Sequence, residues 1–577
     1  MAGPYYYDGY MAHLHKKIKK GRTYYYVRES TSVAGKTKII NQVYLGTAER
    51  IMQLALSAKQ QGIFKVKSQT FGALWLSNLV EKDIDVVSMI DGIVGRATKE
   101  KGPTIGQYFL YAVMNRMVQP SSKSALPEWY AQSAIQFIRP VDISGLDSRH
   151  FWKKWDRVDE SQTKRITEQF LKKINEIEPS GNDCFLFDTT NYYTYIAEHT
   201  SSVLAQRGKN KDGKDWLKQI GLALLVARDT RLPLFYREYE GNRHDSKVFL
   251  RVMDEVLSAG GRQQAVVVFD KGMNSEENIQ KIDNRPNVHF ITTYSPNYAK
   301  ELTHISLENF RAVDTLKNRR LSEAGKADDR LLAWRCTKNL WGKQRSVIVT
   351  YNPLNAAKQR YRFEKKLLDL QSLLFTLRSK VRTWRKDVRK RAIKQYKAAC
   401  EQLHLPENLY DLIFEQGNHR TSMGFRKNYY RIARYIDRFG KTIIVTDLFD
   451  WSVDEIVKAS LDRYLVEQAF RQSKDHELVS ITPIFHWTDG KIRCHLLTCI
   501  MALALLCLIE IRLKRAGLDM SAKEAMRHMR NLNSCLYFLK GKKKPLRMIE
   551  EPSDAQAEIL KAFGYEVHSG VLSTTNT

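Results

Sequence analysis

Ala265-Val266-Val267-Val268-Phe269-Asp270-Lys271-Gly272 is a short apolar run that ends on a carboxylate and a glycine. Its β-branched residues, its length and its turn-forming close read as a buried strand, not a helix. Upstream, Cys184-Phe185-Leu186-Phe187-Asp188-Thr189-Thr190 repeats the design. Both aspartates are expected at the C-terminal ends of their strands, where a side chain leaves the sheet edge. On adjacent parallel strands the two carboxylates would share a cation; without one they would repel, and one would take up a proton. For either residue alone, the alternative is that strands often end in Asp because Asp starts turns.

The neighbouring pattern extends this unit. Strands are expected at 185–188, 220–227, 232–239, 265–270 and 288–294, with a tight turn at 228–231 and helices at 246–257 and 276–282. The order β-β-β-α-β-α-β, with acids ending the first and fourth strands, is that of an RNase H-like mixed sheet. After residue 300 the pattern breaks into short strands at 331–337 and 345–350 and a long helix at 356–402, then returns with a strand at 442–446. The expected fold class is therefore α/β, an RNase H-like core with a large insertion between its fifth strand and the helix that follows. A small β unit (strands 23–28 and 37–45 about Ala34-Gly35) and a helical region precede the core. The expected divisions are 1–60 (β-rich), 61–178 (helical, DNA-binding), 179–300 (core, first part), 301–440 (insertion), 441–515 (core, second part) and 516–577 (helical tail).

The helix expected at 453–475 carries a third acid. Ser452 and Glu455 have capping-box spacing. Arg463, Glu467, Arg471 and Lys474 recur at four, four and three residues, so they share one face, while Leu465, Ala469 and Phe470 can pack on the sheet. An ordinary solvated helix with i,i+4 ion pairs is the competing reading. Two aspartates and this glutamate are oxygen ligands suited to Mg²⁺ or Mn²⁺, and a pair of such ions activates water against phosphate.

Charge supplies the partner. The formal net charge of +30 over 577 residues is not confined to a tail, and it suits a polyanion such as double-stranded DNA. Between 378 and 397 stand ten Lys or Arg, among them Arg385, Lys386, Arg389 and Lys390, against the single acid Asp387. A solvated helical arm is the alternative there. Seven scattered cysteines without a Cys-x-x-Cys pair argue against zinc and for a reducing compartment. The N-terminus has no apolar signal core, and the apolar run 496–509 is short for a bilayer and reads as a buried helix. Together these features point to an enzyme that cuts and rejoins DNA.

The three acidic motifs resemble those of insertion-sequence DDE transposases, in the group whose last motif reads Tyr-x-x-Arg-x-x-x-Glu-x-x-x-x-x-x-Lys. Arg463, Glu467 and Lys474 match, while Ser460 stands at the Tyr place and Tyr464 lies on another part of the helix. Asp270-Lys271-Gly272-Met273-Asn274-Ser275 is similar to the family's second-aspartate motif, and 484–495 to the segment after its Glu helix. The likeness runs in order over roughly 100–550. It implies Asp188, Asp270 and Glu467 as catalytic metal ligands for two ions, and Arg463, Arg471, Lys474 and Lys271 against DNA. It also implies a β-rich insertion, a homodimeric synapse, cut-and-paste movement, and a bacterial or archaeal cytoplasm with nucleoid association. Some relatives hold a flipped base on an insertion-domain aromatic, which makes Trp334 and Trp341 candidates; packing inside a small β unit is their other reading. Two rivals stay open: a DNA-binding protein of the same descent that no longer cuts, and an RNase H-like nuclease that joins nothing. His486, His495 and 241–245 could suggest a metal; His495, which opens an apolar helix, is expected as a structural hydrogen-bonder, and Asp245 as a loop or cap residue.

Overall fold

The computed structural model describes residues 11–19, 21–33, 36–61, 63–95, 102–141, 146–181, 183–209, 213–259, 264–296, 299–417, 420–539 and 542–575. The turn expected at Ala34-Gly35 and the start of the basic stretch at Lys540-Gly541 lie outside them. The fold is mixed α/β with a large mixed sheet. It divides into two compact units. One comprises Asn182–Asp188 and His244–Val466; the other comprises Met1–Gly181, Thr189–Arg243 and Glu467–Thr577.

In the first unit, the strand Ala265–Phe269 is buried at every position, as a strand covered on both faces must be. It pairs in parallel with Val288–Tyr294 on one side. On the other it pairs in parallel with the start of Cys184–Tyr193, through Cys184↔Val266, Phe185↔Val267 and Leu186↔Val268. Beyond Val288–Tyr294 the sheet continues antiparallel through Lys441–Thr446, Lys343–Tyr351, Leu332–Leu340 and Arg311–Ala312. The two strands expected within an insertion from residue 301 thus extend the same sheet. They are joined by Trp341-Gly342, both at positive φ (53° and 76°), the two-residue turn whose twist matches antiparallel strands; Gly carries the second position without steric cost.

A separate apolar cluster starts further on. Phe363, Leu367, Leu370, Leu374, Leu377 and Val381 recur every three or four residues along the helix Pro353–Val381, and Val388, Ala392, Tyr396 and Cys400 face them from Val388–Leu403. Asn352 caps the first helix and Pro353 occupies its first turn. The single helix expected at 356–402 is therefore two. The chain breaks after Val381, and Asp387 takes a left-handed conformation (φ 50°) before the second helix begins. A hairpin of Tyr410–Gln416 and Thr421–Lys427, which its polar composition hid, completes this cluster.

The second unit departs most from expectation. Its N-terminal sheet has three strands, Met11–Lys19, Arg22–Val33 and Lys36–Gly46, where two were expected. Ile63–Thr70, in a region expected to be helical throughout, pairs with Asn533–Leu539, which pairs in turn with Leu546–Ile549. The tail from 516 is accordingly not helical throughout: between and after the helices Ala522–Arg530 and Asp554–Ala562 it carries strands, two of which close a sheet begun near the N-terminus. Apolar and polar residues alternate over too few positions in Ile63–Thr70 to mark a strand without that distant partner. The helix Asp489–Arg515 is long and apolar enough to cross a membrane by length and composition alone, but it is the buried helix expected from the run 496–509. Burial defines it instead: 89% of its most apolar stretch is inside the protein.

Candidate active site and nucleic-acid interface

The parallel register levels the two aspartates. Leu186 stands opposite Val268, and Asp188 and Asp270 each follow two residues later. Asp188 is not at a strand end, since Cys184–Tyr193 continues past it. Asp270 is at one, and opens a 3₁₀ turn over Lys271–Met273 without capping it: its side chain makes no capping bond there. The bland reading of Asp270, as a turn-starting cap, is thereby disfavoured. Its carboxylate instead accepts a hydrogen bond from Thr293 Oγ1 at 3.2 Å, and Thr293 Oγ1 in turn accepts from the Lys271 backbone N–H at 3.3 Å. Asn274 Nδ2 donates to the Thr293 carbonyl at 2.8 Å. This chain of bonds orients the Asp270 side chain.

Both carboxylates face one cation. Arg463 Nη1 lies 4.0 Å from Asp188 Oδ2, and Nη2 lies 3.9 Å from Asp270 Oδ1. The side chains of Asp188, Arg463 and Asp270 are 15%, 23% and 38% exposed, so the cluster is partly sheltered and open to small solutes.

The third motif sits on a broken helix. Ser452 and Glu455 form the expected capping box. The helix then ends at Asp462 and a second, Tyr464–Ser473, begins, with Arg463 at the junction in a helical conformation (φ −52°, ψ −26°). Glu467 falls in the first turn of the second helix, one helical turn after Arg463, and is partly buried. The structure thus brings together Asp188, Asp270 and Arg463. Among the described residues, no group of three or more His, Cys, Asp and Glu stands close enough to hold a metal. A divalent ion nevertheless fits the pair: two hard oxygen donors already converge on one positive group.

The other candidates occupy distinct surroundings. Arg471 is exposed, whereas Lys474 is partly buried with Nζ 5.4 Å from the Tyr192 ring centre. The Tyr192 hydroxyl meets Ser473 Oγ at 2.6 Å, and burial pushes its pKa up. Lys271 is exposed, as are all ten basic residues between 378 and 397, including Arg385, Lys386, Arg389 and Lys390. Trp334 lies within the strand Leu332–Leu340, opposite Val349, and Trp341 packs its ring against Tyr294 (5.4 Å) and Phe290 (6.1 Å). Sequence reasoning missed Thr293, which carries no pattern signal.

The second unit holds its cations differently. Lys123 is 3% exposed, its Nζ makes no hydrogen bond, and the rings of Trp155 and Phe151 lie 5.2 and 5.4 Å away. Arg116 donates to the carbonyls of Ser480 (3.0 Å), Ser121 (3.3 Å) and Val479 (3.5 Å). His495 Nε2 meets the Ile481 carbonyl at 3.0 Å, and the His486 ring packs against it at 4.6 Å. Burial, then these neighbouring positive groups, pushes the His486 pKa down to about 3 and that of His495 well below its usual value; Lys123 is also pushed down.

Residues 192–505 match the family model of the transposase DDE domain, more than half of the chain. The chain belongs to this transposase family. The matched stretch includes Asp270, Arg463 and Glu467 and begins just after Asp188. No curated protein matches the chain. Among solved structures, a cryo-EM structure of the piggyBac transposase synaptic complex with hairpin DNA is similar at 9% identity, over 81% of this chain and 82% of that one, with a TM-score of 0.36. A likeness that slight assigns nothing to individual residues.

Proposed function

We propose that this transposase cuts DNA at the ends of a mobile element and joins the freed 3′-hydroxyls to target DNA, using Asp188, Asp270 and Glu467 as its acidic centre on an RNase H-like core. One observation carries the reading: two carboxylates level on adjacent parallel strands share the arginine of the third motif. Bound there, Mg²⁺ or Mn²⁺, as two ions, would supply an activated oxygen nucleophile and stabilise the leaving oxygen. Asp188 and Asp270 would hold the ions from the sheet and Glu467 from the helix beyond Arg463. Thr293 keeps the Asp270 carboxylate turned toward the cluster. Lys271, Arg471, Lys474 and the exposed basic residues of 378–397 would hold phosphates of double-stranded DNA and position it without reading bases. The protein would act as a homodimer that pairs two ends, in a bacterial or archaeal cytoplasm. Trp334 stays a candidate for a flipped base; Trp341 would have to leave its packing on Tyr294 and Phe290 to serve.

The test is a strand-transfer assay with a labelled duplex bearing a 3′-hydroxyl end of the element's own flanking sequence. Joined products in Mg²⁺ support the reading. Cleavage without joining leaves a nuclease, and binding with neither leaves a silent relative.

A further inference from the structure

We propose that Arg463 is a built-in counter-cation, which neutralises Asp188 and Asp270 while the protein is free of DNA and moves to a backbone phosphate when DNA binds, so that a divalent ion loads only then. The inference rests on the reading of Asp188 and Asp270 as metal ligands. Three observations carry it. The guanidinium reaches both carboxylates, at 4.0 and 3.9 Å, and so stands where a shared metal ion would stand. A monovalent and a divalent cation cannot both sit that close to the same two groups without strong mutual repulsion.

The pairing is also built to let go. Hydrogen-bonded arginine–carboxylate pairs close to about 2.7–2.9 Å. Arg345 does this in the same unit, gripping Asp283 at 2.9 and 2.5 Å while only 2% exposed. Arg463 makes the long version, partly open to solvent. Finally, Arg463 occupies the junction between Val453–Asp462 and Tyr464–Ser473, not the middle of a continuous helix. Its planar fork suits a phosphate as well as a carboxylate. Exchange of one anion for the other would couple DNA binding to metal binding, and linkage makes the coupling reciprocal.

The experiment measures Mn²⁺ affinity of the full chain by the electron spin resonance of the free ion, with and without a short blunt duplex of mixed sequence. Asp270→Asn, with and without the same duplex, supplies the background. Without DNA, Arg463→Gln should bind Mn²⁺ about tenfold tighter than the wild type. The duplex should tighten the wild type by a similar factor and add little to Arg463→Gln. Equal, Asp270-dependent affinities of the wild type and Arg463→Gln, with no duplex effect, would overturn the inference and leave the metal site standing. Absence of any Asp270-dependent binding, with or without duplex, would instead defeat the metal reading itself. Should Arg463→Gln not fold, Arg463→Lys keeps the charge without the fork and should fall between the two, and the duplex effect on the wild type decides by itself.

Discussion

Two groups of charged side chains in this chain are handled in opposite ways. In the first unit, Arg463 stands between two acids at a partly open sheet edge. In the second, Lys123 and Arg116 lie beside two histidines, held only by aromatic faces and backbone carbonyls. The open cluster sets a basic group between two acids where solvent reaches all three. The closed one disfavours charge: Lys123 and both histidines are pushed toward their neutral forms. Perturbed pKa values often mark functional sites, yet here strong downward shifts gather on Lys123, His486 and His495, a largely buried group. Exposure and mixed sign separate the site from the scaffold.

The largest effect should follow removal of the open acids. Asp188→Ala, Asp270→Ala and Glu467→Gln should each lower cleavage by about a thousandfold or more. Binding to duplex DNA should change little, because it rests on cations elsewhere. Cleavage assays paired with gel-shift titrations check this. Near-wild-type cleavage in Mg²⁺ by any one variant removes that residue from the site.

Lys123 should behave in the reverse manner. Lys123→Met replaces an unbonded buried amine by an apolar chain of similar volume, and should be neutral or raise the melting temperature. Lys123→Ala leaves a hole beneath Trp155 and Phe151, and should cost about 2–3 kcal/mol. Neither should alter cleavage per folded molecule. If Lys123→Met instead loses cleavage while melting normally, the closed cluster is functional and the contrast between the clusters fails.

How far these clusters were legible in the sequence follows the same division. Asp188 and Asp270 could be found because each ends an apolar run, and runs of that kind are local. The break at Arg463 could not be read, because the periodicity of 453–475 runs through it. Nor could Thr293, whose only distinction is its place across the sheet from Asp270. The pairing of Ile63–Thr70 with Asn533–Leu539 joins segments from opposite ends of the chain, and no local pattern encodes such a partner. The break before Asp387 was hidden by helix-forming Lys and Arg on both sides, residues whose propensity favours continuing the helix. Lys123 and Arg116 gave no warning either, since the fold brings aromatic rings over the first and distant backbone carbonyls to the second.

Acid should sharpen the contrast next. His486 and His495 are held neutral in the folded protein, His486 down to about 3, while the unfolded chain takes up protons near pH 6.5. A basic group whose folded pKa is depressed leaves stability whole above the unfolded value and withdraws it as pH falls below. Each histidine should therefore cost about 1 kcal/mol per pH unit between roughly pH 6 and 4. The positive groups facing them, Lys123, Arg116 and Lys491, act in the same direction. Urea unfolding of wild type and of His486→Phe/His495→Gln across that range isolates the histidine contribution from carboxylate titration. Parallel stability curves for the two proteins would mean that the histidines take up protons in place.

The smallest effects should come from the exposed basic residues around the helical break. Arg385, Lys386, Arg389 and Lys390 are solvent-facing, and Arg389 also lies 5.8 Å from the Phe414 ring. If they meet phosphate, removing any one of these cations should lower the slope of log K against log salt by about 0.9 for duplex DNA. Preference for the element's ends over scrambled duplex should hold, since phosphate interactions position and base interactions specify. Arg389→Ala has a second consequence, weaker packing on Phe414, so a small fall in melting temperature should accompany its change in slope. Lys390→Ala should show the slope change alone. Salt titrations of the single variants on both duplexes read these quantities directly. An unchanged slope for all four makes this surface a solvated arm, whereas an unchanged slope with no remaining end preference would make it a reader of sequence. Because each variant alters one exposed side chain far in sequence from Asp188 and Asp270, normal cleavage at saturating DNA should persist in every case.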